Sequence, residues 1–394
     1  MLELLWITVG VGGIWLVIFV SSLLEMRSLP RVRPARGASH GPLPRVSVII
    51  PARDEEANII ACLESLLSQD HADIEIIVVD DGSSDRTADL VARMSRQDYR
   101  VRLVRSGDLP AGWTGKCNAA YQGVVKGHPR GEWLLFTDAD TLHESQSISA
   151  PLQVALDRNL DLVSLIPHLE ARSFWECLMQ PTMASLIAMF QKPRRVNDPG
   201  LPDIFANGQY ILVRREVYDR AGGHAAVHGK VLEDVELARV ICATGGRVFL
   251  AMGRDLFSTR MYTNLHSLIE GWAKNFYMIL GSRLPRVVLA VSALFLLSLW
   301  PAVFGLTAAG SLLIGLRPLA QGYLWIALGV YALVLIFQIV LRHLNRWYPR
   351  YAPFAPLASL LAIYVLLHSA RLHRTGSGVR WKGRVVFDDK EKAG

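Results

Sequence analysis

The sequence predicts an α/β protein: a mostly parallel, helix-covered sheet with membrane-spanning helices before and after it. Three observations carry this expectation. Residues 4–24, 287–316, 318–341 and 351–370 are apolar and free of charge. Between them, residues 45–285 mix charged and apolar residues ordinarily, and short β-rich runs alternate with helical ones. Such alternation folds as parallel strands covered on both faces. Four acidic sites fall at strand ends or just after them, and sheets of this kind bind ligands at the carboxyl ends of their strands.

Taken in order, residues 4–24 would form a helix about 31 Å long, close to a ~30 Å hydrocarbon core. Glu3 precedes the run and Glu25-Met26-Arg27 follows it, where a cleaved signal would carry basic residues and a small-residue site. The expectation is an uncleaved anchor over 1–26, then a basic linker over 27–45. Strands are expected at 46–50, 74–79, 101–104, 133–137 and 160–165. Helices are expected near 56–68, 84–95, 116–126 and 147–157. Together these build a catalytic domain over 46–285, with interfacial helices near 173–191 and 266–280. A buried core helix is the plainer reading of 173–191, which holds Pro181 and the single charge Glu176. Residues 286–370 make the C-terminal transmembrane segments, and 371–394 a basic tail. The segment 287–316 contains Pro301 and Gly305 and fits a long tilted helix or a broken pair.

With 51% hydrophobic and 20% charged residues in 394, the chain is neither disordered nor a disulfide scaffold. Its apolar ends exclude a purely soluble enzyme. Its soluble middle, enough for one sizeable core, excludes a pure channel. The 42 Lys and Arg against 35 Asp and Glu reflect topology more than nucleic acid. Arg27, Arg31, Arg33, Arg36 and Arg45 form one acid-free run; Arg371, Arg374, Arg380, Lys382 and Arg384 form another. Basic runs beside apolar segments mark the cytoplasmic side, so a multi-pass protein of the inner cell membrane with a cytoplasmic domain is expected. An anchor followed by three spans would nevertheless put the basic tail outside, so the side of the tail stays open. Cys62, Cys117, Cys177 and Cys242 form no metal spacing and are expected reduced and packed.

The chemistry is sought in the strand-end loops. These are Pro51-Ala52-Arg53-Asp54-Glu55-Glu56, Asp80-Asp81-Gly82-Ser83-Ser84-Asp85, Asp138-Ala139-Asp140 and Glu233-Asp234. Asp-x-Asp means little alone, because 20 aspartates give about one chance triplet per chain. Its place directly after the apolar run 133–136 is the evidence. One or two carboxylates plus phosphate oxygens suit Mg²⁺ or Mn²⁺. Lys116 follows a glycine-containing loop and opens a helix, a setting that favours phosphate. Plainer roles exist for each: turn chemistry for Asp81, a helix cap for Glu55, a solvated lysine for Lys116. His224 and His228 read as packed or solvated histidines, with donor or metal contact as the sharper alternative.

In this order the motifs resemble those of family 2 glycosyltransferases with the GT-A fold, over about residues 45–285. The resemblance implies a nucleotide-sugar donor, a divalent cation and inversion at the sugar carbon. It carries Pro51, Ala52, Arg53, Glu55 and Asp81 to nucleoside-holding positions, and Lys116 and Asp138 to donor contacts. Asp140 takes the metal-ligand position and Asp234 that of the catalytic base. Glu233, Gly208, Gln209, Trp272 and Lys274 become candidates on the acceptor or diphosphate side. The Gln-x-x-Arg-Trp stretch of many membrane synthases is not kept: here 268–275 reads Leu-Ile-Glu-Gly-Trp-Ala-Lys-Asn. That weakens a processive polysaccharide synthase. Segments 206–210, 223–228, 271–275 and 381–384 look most like the hopanoid-associated bacterial branch. The expected function is therefore sugar transfer to a membrane-embedded lipid, such as a hopanoid or a polyprenyl lipid, with no nucleic-acid partner. A non-catalytic nucleotide-sugar-binding scaffold is the alternative from another class.

Overall fold

The computed structural model describes residues 2–34, 42–191, 193–197, 204–315, 317–375, 379–381 and 384–386. The linker expected at 27–45 and the tail expected at 371–394 therefore lie partly outside the described residues. The chain divides into two units.

The sheet unit comprises Leu29–Glu170, Lys192–Met261 and Gly378–Gly394. Its main strands are β1 (Val46–Ala52), β2 (Ile74–Asp80), β3 (Val101–Arg105) and β4 (Trp133–Thr137). The short β5 (Thr141–His143) precedes β6 (Leu162–Ile166), β7 (His168–Leu169), β8 (Tyr210–Arg214), β9 (Val248–Met252) and β10 (Phe257–Thr259). Seven of them form one sheet in the order β3-β2-β1-β4-β8-β6-β9. β1 pairs in parallel with β2 and β4, and only β8 runs antiparallel to its neighbours. β5, β10 and β7 make a small second sheet.

The helices of this unit are α2 (Ile59–Leu67), α3 (Thr87–Gln97), α4 (Gly115–Val125), α5 (Ser149–Asp157), α7 (Arg215–Arg220) and α8 (Glu233–Ala243); α6 belongs elsewhere. The central strands are apolar on both faces because both are covered. Alternate residues of β1 show this: Val48 and Ile50 face one core cluster with Cys62 and Leu66, while Ile49 faces the other with Cys117 and Leu237.

The helical unit comprises Met1–Ser28, Ala171–Gln191 and Tyr262–Ser377. It holds α1 (Leu2–Ser28), α6 (Phe174–Gln191), α9 (Leu265–Ile279), α10 (Leu284–Leu294), α11 (Trp300–Leu313), α12 (Arg317–Leu344) and α13 (Ala355–Arg374). Among the described residues, three stretches are long and apolar enough to cross a membrane: Leu284–Leu313, Leu324–Leu344 and Pro349–Arg374. The described apolar stretch of α1, Trp6–Ile18, is shorter. The first C-terminal stretch is one helical path, not a broken pair: a π-turn at Phe295–Leu299 joins α10 to α11.

Proline explains several contacts within this unit. A helical proline lacks the N–H that would bond the carbonyl four residues back. Pro301 frees the Leu297 carbonyl, which accepts Trp15 Nε1 at 2.5 Å. Pro181 frees the Cys177 carbonyl, which accepts Arg342 Nη1 at 2.5 Å. Ser369 Oγ works differently. It donates to the Ala273 carbonyl and accepts the Tyr277 N–H, joining α13 to α9.

Candidate active site

The parallel register aligns the carboxyl ends of β1 and β2, pairing Ala52 with Asp80. Beyond that point the two loops clasp each other. Asp81 N–H donates to the Ala52 carbonyl at 2.8 Å, and Arg53 Nη1 donates to the Asp81 carbonyl at 2.7 Å. Asp54 sits at φ 51°, a left-handed backbone that costs a non-glycine residue energy. Its carboxylate offsets this by accepting the Ser84 N–H at 2.7 Å. Glu55 N–H donates to Thr87, and the Glu55 carboxylate accepts the Asn58 side-chain amide at 2.8 Å. It does not cap α2, whose first N–H groups, of Asn58 and Ile59, meet the Glu55 backbone carbonyl instead. Asp81 is buried, and Ser106 Oγ, after β3, donates to its carboxylate at 3.0 Å. The edge formed by Pro51, Ala52, Arg53, Glu55 and Asp81 is thus a fixed, hydrogen-bonded wall.

Asp138 and Asp140 follow β4 directly and are half-buried. Because β8 runs antiparallel to β4, pairing Thr137 with Tyr210, the segment entering β8 reaches the same end of the sheet. That places Gly208 and Gln209 beside the end of β4, where Thr137 Oγ1 donates to the Gln209 carbonyl at 2.8 Å. Lys116, in the first turn of α4, meets Asp138 at 2.6 Å and Glu233 at 3.5 Å. Asp234, in the first turn of α8, accepts the Gly208 N–H at 2.7 Å on one oxygen and the Val235 N–H at 2.8 Å on the other. One small cavity is lined by Pro51, Lys116, Asp138, Gly208, Glu233 and Asp234, among others. With His224, which also lines it, seven residues singled out in six separate stretches of sequence share one concave surface.

The electrostatics of this cluster are strongly coupled in space. Burial alone would lower the Lys116 pKa, but Asp138, Glu233 and Asp234 raise it well above the ordinary lysine value, so its ammonium stays charged. Burial, helped by Glu233, pushes the Asp234 carboxyl up to about 7, against the lowering effect of Lys116 and the two N–H donors. A carboxylate there sits where a general base works near neutral pH. His224 is buried, and burial together with Lys116 holds it down at about 3, so it is neutral. Its Nδ1 lies 2.9 Å from the Tyr218 hydroxyl, and its ring packs edge-on against Phe136. It is a packed histidine that also lines the cavity. His228 is exposed and lies against the Trp113 ring.

Gly208 is fixed by close approach. A Cβ there would lie 3.0 Å from Asp234 Oδ2 and 3.3 Å from Lys116 Nζ. Trp272 and Lys274 belong to the helical unit, on α9. Trp272 packs against Tyr262 and Phe276, and its buried indole N–H has no hydrogen-bond partner.

Thr137, Phe136 and Ser106 were not singled out by sequence. Thr137 could have been found as the last strand residue before the Asp-Ala-Asp triplet. Ser106 could have been found as the polar residue closing β3.

Among the described residues, no three His, Cys, Asp or Glu side chains cluster as a metal site. A Mg²⁺ or Mn²⁺ ion takes one or two carboxylates and completes its shell with water and substrate phosphate. Asp140, half-buried two residues after Asp138 at the same strand end, supplies one such carboxylate and lies outside the lining of the cavity, so an ion held there takes its remaining positions from water and substrate.

A GT-A-type α/β domain with acidic and basic groups gathered at the carboxyl ends of its strands defines a class, the glycosyltransferases. The model for "Glycosyl transferase family 2" matches residues 47–222, and this chain is a glycosyltransferase. The match includes every candidate up to Gln209; Glu233, Asp234, Trp272 and Lys274 lie beyond it. The chain is 28% identical over 353 residues to 4,4'-diaponeurosporenoate glycosyltransferase of Staphylococcus aureus strain MRSA252, covering 88% of this chain and 89% of that one. The enzyme of strain USA300 is 27% identical over 357 residues, with the same coverage. Among solved structures, the fold is similar to a mannosyltransferase from Pyrobaculum calidifontis in complex with GDP-Man and Mn²⁺. That likeness has a TM-score of 0.52 at 17% identity and covers 94% of this chain and 98% of the other.

Proposed function

We propose that this glycosyltransferase moves a sugar, with inversion, from a nucleotide-diphosphate donor to a membrane-embedded lipid. The observation that carries this reading is the Lys116–Asp138–Glu233–Asp234 cluster around one cavity. The lipid hydroxyl attacks the anomeric carbon as the bond from that carbon to the diphosphate oxygen breaks. Asp234 takes the hydroxyl proton, and the nucleoside diphosphate leaves. Its pKa near neutrality suits that proton transfer. Lys116 faces the departing diphosphate, with the first-turn N–H groups of α4 beside it; no side chain caps that helix. Pro51, Ala52, Arg53, Glu55 and Asp81 hold the nucleoside. Asp140 would hold the divalent ion, which when bound offsets charge on the diphosphate, and Asp138 makes a donor contact beside Lys116.

Three apolar helices and a relative named for a carotenoid acid support a lipid acceptor, whether hopanoid, polyprenyl or carotenoid-like. The chain is then a multi-pass membrane protein with the sheet unit in the cytoplasm, built as an anchor (1–26), a linker (27–45), the catalytic domain (46–285), spans (286–370) and a tail (371–394). The test is to incubate the purified full chain with a panel of nucleotide sugars, with and without extracted membrane lipid. Sugar appearing in the lipid fraction is the expected result. Turnover only onto a growing polysaccharide, or binding with no turnover, overturns it.

A further inference from the structure

Arg342 is the largest buried charge in the helical unit that the proposed chemistry leaves unused. Arg346 and Arg350, past the end of α12, are exposed, whereas Arg342 is 0% exposed. A long basic side chain near the end of a spanning helix ordinarily snorkels towards water. This one instead turns into the protein.

Its visible contact explains only part of its chemistry. Arg342 Nη1 donates to the carbonyl that Pro181 frees at Cys177. The equivalent carbonyl freed by Pro301 is satisfied by Trp15, which has a single neutral N–H. One donor is therefore enough for the task, yet at Pro181 the chain supplies a charged group with five. Arg342 Nε and Nη2 are both buried and have no hydrogen-bond partner among the described residues. Those two nitrogens form one edge of the guanidinium, the fork that binds a carboxylate or phosphate through two parallel bonds.

The surroundings are polar in the same sense. Gln180, in the same turn of α6 as Cys177, is 0% exposed, and neither end of its amide has a partner. Gln338, one turn before Arg342 on α12, keeps a buried, unpartnered Oε1. A buried charge without a counter-ion is costly, and of these groups the donors, Arg342 Nε and Nη2 and Gln180 Nε2, call for a missing acceptor.

We propose that Arg342, with Gln180, holds the anionic group of an acidic membrane amphiphile, a carboxylate or phosphate, within the helical unit. The guanidinium edge takes two oxygens of that group, and the Gln180 amide N–H takes a further one. This goes beyond the transfer reaction and does not depend on it: the bound amphiphile need not be the sugar acceptor.

The test uses the full chain in nanodiscs of phosphatidylcholine, alone or with phosphatidylglycerol or oleate mixed in. Lipid retained after mild extraction is read by native mass spectrometry. The wild type should retain one acidic lipid per chain. Arg342→Lys keeps a charge and a donor for Cys177 but loses the fork, and retention should fall on the order of tenfold. Gln180→Leu should weaken it less. Nucleotide-sugar binding, measured on the same samples, should be unchanged and reports that each variant is folded. Inorganic phosphate is added in a separate arm. Displacement of the lipid by phosphate supports a headgroup-charge site, whereas phosphate binding with no lipid retained overturns the proposal. Equal retention in wild type and Arg342→Lys also overturns it. If retention behaves as expected while no nucleotide sugar turns over, only the transfer reading falls.

Discussion

In the proposed mechanism Asp234 combines two tasks, general base and backbone clamp. Each of its oxygens accepts a backbone N–H, so Asp234→Asn would set its amide NH₂ against one of them. A stability loss of about 1–3 kcal/mol is expected from that mismatch. Loss of a general base costs about 10²–10⁴-fold in rate, so at a temperature where the variant is folded its turnover should collapse while donor binding persists. Turnover within a few-fold of wild type would reduce Asp234 to a clamp between α8 and the Gly208 loop. The pH profile gives a second reading. The carboxyl titrates at about 7, so kcat/KM should fall as pH drops through 7, where the base becomes protonated. His224 is neutral throughout this range and cannot supply that limb. Lys116 lowers the Asp234 pKa, so Lys116→Gln should move the limb to higher pH, and a limb that stays in place would refute the coupling. Stability follows the same proton. With the folded pKa above the unfolded one, this group's contribution is full below pH 4 and fades as pH rises through 7. A melting-temperature series of Asp234→Asn should lack that component.

Gly208 gives the steric counterpart at the same scale. Its missing Cβ leaves room for Asp234 and Lys116 at once. Gly208→Ala should displace both by a few tenths of an ångström. A misplacement of about 1 Å can cost on the order of 10²-fold in turnover, so this smaller shift should lower turnover by a smaller factor, and a wild-type rate would show that the cluster tolerates it.

At the scale of elements, β1, β2 and β4 were legible as short, mostly apolar runs followed by polar turn residues, and β3 as a β-rich run interrupted by Arg102. Their carboxyl ends therefore mark Pro51, Asp81 and Asp138 as neighbours from the amino-acid order alone. β8 and β9 were not legible. After β6 the chain leaves the sheet unit for α6, and the strand–helix rhythm stops for some forty residues. Tyr210–Arg214 then returns antiparallel, a direction that no local pattern encodes. Asp234 stood out in the sequence as part of an acidic pair, but without β8 Gly208 could be named only through family resemblance. The sequence could not say that Gly208 donates its N–H to Asp234. The proline-freed carbonyls of Cys177 and Leu297 were equally hidden: the prolines are visible in sequence, but their partners lie more than 160 residues away. The strand-end pair Asp138 and Asp140 carries its own prediction. If Asp140 holds a divalent ion, a chelator and Asp140→Ala should each abolish transfer while melting stays near wild type. Full turnover in excess chelator would remove the ion from the mechanism.

For the whole molecule, the remaining question is which side of the membrane the sheet unit occupies. Its chemistry needs nucleotide sugars, which are cytosolic in the proposed reading, and the acid-free run of five arginines between 27 and 45 argues for the same side. The three C-terminal stretches bear on the tail, not on this unit, because an anchor alone sets the domain's side. A direct measurement is available at Tyr99, which is 91% exposed on the turn between α3 and β3. Cys62, Cys117 and Cys177 are buried and Cys242 is half-buried, so the unmodified chain serves as background. Tyr99→Cys should resist a membrane-impermeant maleimide in intact cells and label fully once the membrane is opened. Labelling in intact cells would put the catalytic cluster outside. The donor would then have to be a membrane-borne sugar, because a nucleotide sugar held in the cytosol could not reach Lys116.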